Sequence, residues 1–120
     1  MQIEEGSSIL IIRPKWADMI LKGEKTVELR GMRCNKHENT RVYIAKSRTS
    51  KIYGYVTFKT CVGPLSESEF ESLRESHRYD GKMPYEKTFA WFFTNAVLMD
   101  PISFKKKKGA IVWVKYETCD

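Results

Sequence analysis

The sequence predicts an α+β fold: a small β-barrel of five to six mostly antiparallel strands with two or three helices packed on its ends. Three observations point there. Six stretches are rich in β-branched and aromatic residues and are bounded by polar or glycine-containing turns. Two intervening stretches begin with helix-start chemistry. Six strands in only 120 residues favour a curled or closed sheet, because closure removes unpaired strand edges.

Residues 1–7 are expected to be a flexible lead-in, and 8–120 a single domain. Ser8-Ile9-Leu10-Ile11-Ile12-Arg13 is nearly continuous aliphatic chain, which predicts a strand buried on both faces. Pro14 has the fixed φ that suits a first helical position. A helix over about 14–22 follows, with Trp16, Met19 and Ile20 at helical spacing and Gly23 as the left-handed residue past its end. Lys25 to Arg30 alternates, with Val27 and Leu29 on one face and Thr26, Glu28 and Arg30 on the other. Residues 31–39 show no period and read as a loop. Arg41 to Lys46 predicts a strand with Val42 and Ile44 inward, and a polar turn leads to a long strand over about 51–62. There Ile52, Gly54, Val56, Phe58 and Val62 share one face, and Gly54 signals a bulge or a close backbone approach. Ser66 with Glu69 forms a capping box, stapled by Leu65 and Phe70, and starts a helix running to about 76. Residues 79–84 are turn-rich. Thr88 to Met99 predicts a strand, Asp100-Pro101 a bend, and residues 110–116 a last strand after the basic turn Lys105-Lys106-Lys107-Lys108-Gly109.

Composition sets the broad class. A hydrophobic fraction of 42% and a charged fraction of 30% are those of a globular chain. No apolar run is long enough to span a bilayer, and the acidic N-terminus lacks a secretion pattern, so no membrane partner and a cytoplasmic location are expected. Cys34, Cys61 and Cys119 are odd in number and widely spaced, which predicts free thiols rather than a disulfide framework. The net charge of +6 and pI of about 9.3 favour anionic partners.

The segment from Gly23 to Arg30 carries the most specific signal. Gly23, Lys25, Glu28 and Arg30 match the pattern Gly-x-Lys-x-x-Glu-x-Arg, after a strand, Arg13-Pro14-Lys15-Trp16-Ala17 and Ile20-Leu21-Lys22. With the Val42-to-Lys46 strand, Ile52-x-Gly54, the Phe89-to-Pro101 strand and the Gly109-to-Val114 ending, this resembles the ASCH domain of the PUA-like superfamily over most of the chain. The resemblance implies a five- or six-stranded barrel with a cleft beside the motif. It also implies an association with RNA, nucleoside modification or translation-related regulation. One bacterial relative is an amidohydrolase that removes acetyl from N4-acetylcytidine, and another has been described as a ribonuclease. In the amidohydrolase the catalytic lysine corresponds to Lys25, whereas a threonine nucleophile stands at the position of Glu28. Its third carboxylate falls in the second-helix region, where Glu67, Glu69, Glu71 and Glu75 are candidates.

Each candidate has a functional and a plainer reading. Lys25 can hold a phosphate or polarise a carbonyl, or be a solvated lysine after a helix cap. Glu28 and Arg30 can read a base edge through paired acceptors and donors, or only pair with one another. Trp16 and Tyr53 are stacking candidates for a base, although Trp16 lies on the apolar helix stripe, where core packing is the stronger expectation. Lys15, Arg48, Lys51 and Lys105–Lys108 can form a phosphate-binding face. The lysine run can equally be a solvated turn that discourages edge pairing. Cys34-x-x-His37 is half of a zinc site without its second half, so no metal and no cofactor are expected. Two functions compete: a module binding RNA or a modified nucleoside, and a hydrolase in which Lys25 stabilises charge while Glu28 activates water. A deep pocket around Lys25 favours the hydrolase, and a shallow basic groove favours RNA binding. No motif identifies a protein partner.

Overall fold

Nine elements follow one another in the computed structural model, which describes residues 2–110 and 112–119. They are β1 (Ser8–Ile12), α1 (Pro14–Leu21), β2 (Val27–Arg30), β3 (Arg41–Lys46), β4 (Lys51–Val62), α2 (Glu67–Ser72), α3 (Arg74–His77), β5 (Phe89–Ser103) and β6 (Trp113–Lys115). The strands make one mixed sheet in the order β2-β5-β4-β3-β1-β6, curled into a half-barrel. All neighbours run antiparallel except β1 and β3, which pair in parallel from Ile9↔Tyr43 to Ile12↔Lys46. The sheet is therefore the α+β, barrel-like one that the sequence predicts.

Burial explains the curl. β1 and β3 are buried on both faces, as the aliphatic run in β1 requires. One apolar cluster, with Leu10, Ile12, Val42, Ile44, Val56, Phe58 and Trp91, packs one face of the sheet against Ala17, Ile20 and Leu21 of α1. A second, with Ile9, Ile11, Tyr43, Ala45 and Ile52, lies on the opposite face, and Ile3 and Tyr116 join it. The N-terminal residues are tied there by Gly6 N–H donating to Tyr116 O at 2.9 Å. A third cluster seats Phe70 and Leu65 against Val27, Leu29 and Ala90, and so docks α2 on β2.

Local chemistry ends the elements where the sequence indicates. Gly23, at φ +79, closes α1 in a Schellman pattern: Gly23 N–H donates to Ile20 O at 3.0 Å and Glu24 N–H to Met19 O at 2.9 Å. The capping box at Ser66 is complete, with Glu69 N–H donating to Ser66 Oγ at 3.1 Å and Ser66 N–H to Glu69 Oε1 at 2.8 Å. Gly54 marks a close approach, for a Cβ there would sit 2.3 Å from Val97 O and 2.7 Å from Leu21 Cδ2.

Four boundaries differ from the sequence reading. Asp100-Pro101 does not bend the chain out of the sheet, since β5 continues to Ser103. β2 flanks β5 only over Phe89–Phe92; beyond that β5 is an edge, where proline's missing donor costs no ladder bond. Val62 is exposed rather than inward, because the irregularity between Phe58 and Thr60 shifts the phase and turns Cys61 toward the core. The second helix divides at Leu73 into α2 and the single turn α3. The last strand spans Trp113–Lys115 only, and residue 111 of its predicted span lies outside the described residues. Among the described residues no helix is long and apolar enough to cross a membrane.

Candidate functional site

The turn between α1 and β2 places Lys25 inside the protein, at 3% exposure. A buried ammonium needs partners, and the last turn of α3 supplies one: Lys25 Nζ donates to His77 O. The adjacent Thr26 N–H donates to Ser76 O at 3.0 Å. Lys25 Nζ also lies 3.6 Å from Glu28 Oε1 and 4.8 Å from the Trp16 ring centroid. Burial pulls the Lys25 pKa down from 10.5 to about 8, against the opposing pull of the Glu28 carboxylate.

Alternation along β2 sends Val27 and Leu29 into the core and Glu28 and Arg30 to the other face. Glu28 Oε2 accepts from Arg30 Nε at 3.0 Å and is ion-paired with Nη2 at 3.0 Å. Arg30 Nη2 also donates to Ile11 O at 3.1 Å, and the guanidinium carbon lies 5.7 Å from the Trp91 ring centroid. The side chain thus spans from β2 to β1, across a gap that no backbone ladder bridges. One carboxylate between two cations leaves a net +1 on this triad (Lys25 and Arg30 against Glu28).

The triad forms the floor of a cleft of about 510 Å³. Trp16, Tyr79 and Tyr85 offer aromatic surface, and Arg13, Ser47 and Arg48 stand at its edge. Trp16 and Tyr79 face one another at 6.2 Å and 47°, so the walls are close but not sealed. Lys25 is deep while the mouth is open and basic, so the cleft combines the two shapes set out above. Its chemistry suits a planar ligand with hydrogen-bonding edges and an anionic group.

Of the residues singled out from the sequence, Trp16, Lys25, Glu28, Arg30 and Arg48 meet in this cleft. Trp16 takes both roles, packing partly on the first apolar cluster and lining the cleft. Lys15 is exposed with its ammonium 4.7 Å from the Trp16 ring centroid, and does not line the cleft. Tyr53 lies under the Lys46 ammonium at 4.2 Å, away from the lining. Thr26 does not line the cleft but a neighbouring pocket of about 230 Å³, with Ile20, Phe93 and Lys25, the last shared by both. None of Glu67, Glu69, Glu71 and Glu75 reaches the cleft; Glu69 caps α2 and Glu71 pairs with Arg74. Lys105 to Lys108 are exposed beside the turn carrying Arg48, where Phe104 N–H donates to Ser50 O at 3.1 Å. Among the described residues no cluster of three or more His, Cys, Asp or Glu is placed to hold a metal ion.

Arg13, Ser47, Tyr79 and Tyr85 join the lining without having been singled out. Arg13 directly precedes Pro14, where the chain turns from β1 into α1, and this is its one local signal. His77 was equally silent. It is buried and stacked on Phe70 at 4.6 Å, its Nε2 lies 3.0 Å from Phe70 O, and its Nδ1 accepts from Tyr79 N–H at 3.0 Å. These bonds fix the tautomer with the proton on Nε2 and set both the carbonyl that grips Lys25 and the position of Tyr79.

A family model described as the ASCH domain matches residues 10–108. Among solved structures, a serine-to-alanine mutant of an ASCH protein from Zymomonas mobilis superposes with a TM-score of 0.71 at 18% identity, covering 82% of this chain and 75% of that one. A tyrosine-to-phenylalanine mutant from the same organism gives 0.67 at 18% identity, covering 82% and 76%. A further crystal structure of ASCH from Zymomonas mobilis gives 0.58 at 20% identity, covering 83% and 75%. At these identities the likeness is one of fold. No curated protein matches the sequence.

Proposed function

The chain belongs to the ASCH domain family, and on that premise we propose that its cleft binds RNA or a modified nucleoside beside the Gly23-x-Lys25-x-x-Glu28-x-Arg30 motif. The convergence of Lys25, Glu28 and Arg30 on one floor, beneath the rings of Trp16, Tyr79 and Tyr85, carries this reading. A base enters edge-first: the cations donate to its acceptors, Glu28 accepts from its amino or imino group, and the rings take its faces. Arg13 and Arg48 hold the phosphates outside. Titration with short RNAs and with nucleosides at two salt concentrations tests the proposal. Lys25→Ala and Arg30→Ala each weaken binding by about tenfold or more, as loss of a charged hydrogen bond does. Absence of binding to any of these ligands, or affinity unchanged in both variants, sinks it.

The depressed Lys25 pKa supports a second reading, hydrolysis of an N4-acylated cytidine or metal-independent cleavage of RNA. A group titrating near 8 works as an acid or charge stabiliser close to neutral pH, and Glu28 beside it would activate water. Glu28 at the threonine nucleophile's place, with Thr26 absent from the cleft lining, argues for water rather than a side chain as nucleophile. Incubation with N4-acetylcytidine and with labelled RNA decides: product from neither at high protein concentration leaves binding alone.

A further inference from the structure

Two of the three cysteines, 27 residues apart in sequence, meet behind the cleft. Cys34 N–H, in the loop after β2, donates to Cys61 Sγ, near the end of β4, at 3.4 Å. The contact brings the backbone of one cysteine against the sulfur of the other. We propose that Cys34 and Cys61 are a modification site, a peroxide-oxidisable thiol pair that closes an intramolecular disulfide.

The fold presents the pair in three ways. The irregularity between Phe58 and Thr60 turns Cys61, rather than Val62, toward the loop. Arg33 Nη2 donates to Gly63 O at 2.8 Å, and Trp91 Nε1 to Met32 O at 3.0 Å, so the two residues leading into Cys34 are already fastened beside β4 and β5. The approach of Cys34 to β4 is thus held in place before any bond between the sulfurs forms. Cys119 is exposed in the C-terminal segment and takes no part in this contact.

Exposure assigns the roles. Cys61 is half-buried and Cys34 buried, so hydrogen peroxide meets Cys61 first. The Cys61 thiolate attacks one peroxide oxygen; the O–O bond breaks, hydroxide leaves, and Cys61 becomes a sulfenic acid. The Cys34 thiolate then attacks that sulfur, the S–S bond forms, and hydroxide leaves again. Two thiols and one peroxide give one disulfide and two waters. Burial pushes the Cys34 thiol up, opposed by the Lys36 backbone and charge, which suits a sulfur that reacts only once its partner is oxidised. The product ties the loop that follows Arg30 to β4, across the Trp91 indole on which Arg30 rests.

Treating the reduced full chain with hydrogen peroxide tests this. The expected product is about 2 Da lighter in intact mass, yields a Cys34–Cys61 linked peptide in non-reducing digestion, and keeps one titratable thiol. Its thermal midpoint rises by several degrees, and dithiothreitol reverses both changes. Cys34→Ser traps a dimedone-reactive Cys61, and Cys61→Ser shows no mass loss. Three thiols persisting under excess peroxide, linkage through Cys119, or over-oxidation of Cys61 without a disulfide each overturns the proposal. The wild-type peptide map decides even where a variant folds poorly.

Discussion

Lys25 concentrates the chemistry of the site in one titratable group. Where the ammonium anchors an anionic or carbonyl ligand, affinity falls as pH rises through about 8, and Lys25→Arg, which stays charged, binds without that fall. Titrations at three pH values spanning 7 to 9 read the difference. Stability moves the other way. Between about 8 and the ordinary 10.5 the unfolded chain keeps a proton that the folded chain has released. Unfolding then takes up a proton, so stability rises with pH across this window. Lys25→Met removes this contribution, which is worth up to about 3 kcal/mol over the window, as measured by urea unfolding. At this scale the motif is legible because Gly23, Lys25, Glu28 and Arg30 are close in sequence. The rest of the lining is not: Tyr79 and the His77 carbonyl arrive from some fifty residues away, and no local pattern announces them.

Elements are legible where one physical cause dominates. The aliphatic β1, the capping box at Ser66 and the glycine that ends α1 each follow from local sequence. Where neighbours decide, sequence falls short: Pro101 stays in β5 because that stretch is an edge, and Val62 turns outward through a register shift. Gly54 shows the two causes together, since sequence signals a special position and structure names what occupies the space. A methyl group there meets Val97 O, a backbone atom that moves only with the β4–β5 pairing. Gly54→Ala therefore destabilises by about 2 kcal/mol or more, read as a lower urea midpoint, whereas Gly23→Ala, with open space around it, costs only the strain of its φ, about 1 kcal/mol.

For the molecule as a whole, counting strands anticipated a curled sheet, but pairing order was not legible, above all the parallel β1–β3 contact that spans α1 and β2. Net charge is the other whole-chain property with a measurable outcome. With +6 overall and Arg13 and Arg48 exposed at the cleft, the proposed binding of RNA weakens about tenfold or more for a fourfold rise in salt, while that of a nucleoside barely changes; equal salt responses would remove the phosphate contacts from the proposal. The capture of Lys25 by the His77 carbonyl has a temporal consequence too. That bond joins residues 52 apart, and closing so long a loop is slow compared with forming α1 or the β3–β4 hairpin. Until α3 docks, Lys25 remains an ordinary hydrated lysine beside a glutamate. The site is therefore assembled after these local elements, and a nascent chain that has made only its turns and hairpins is still chemically inert: the lysine acquires its character when α3 closes over it.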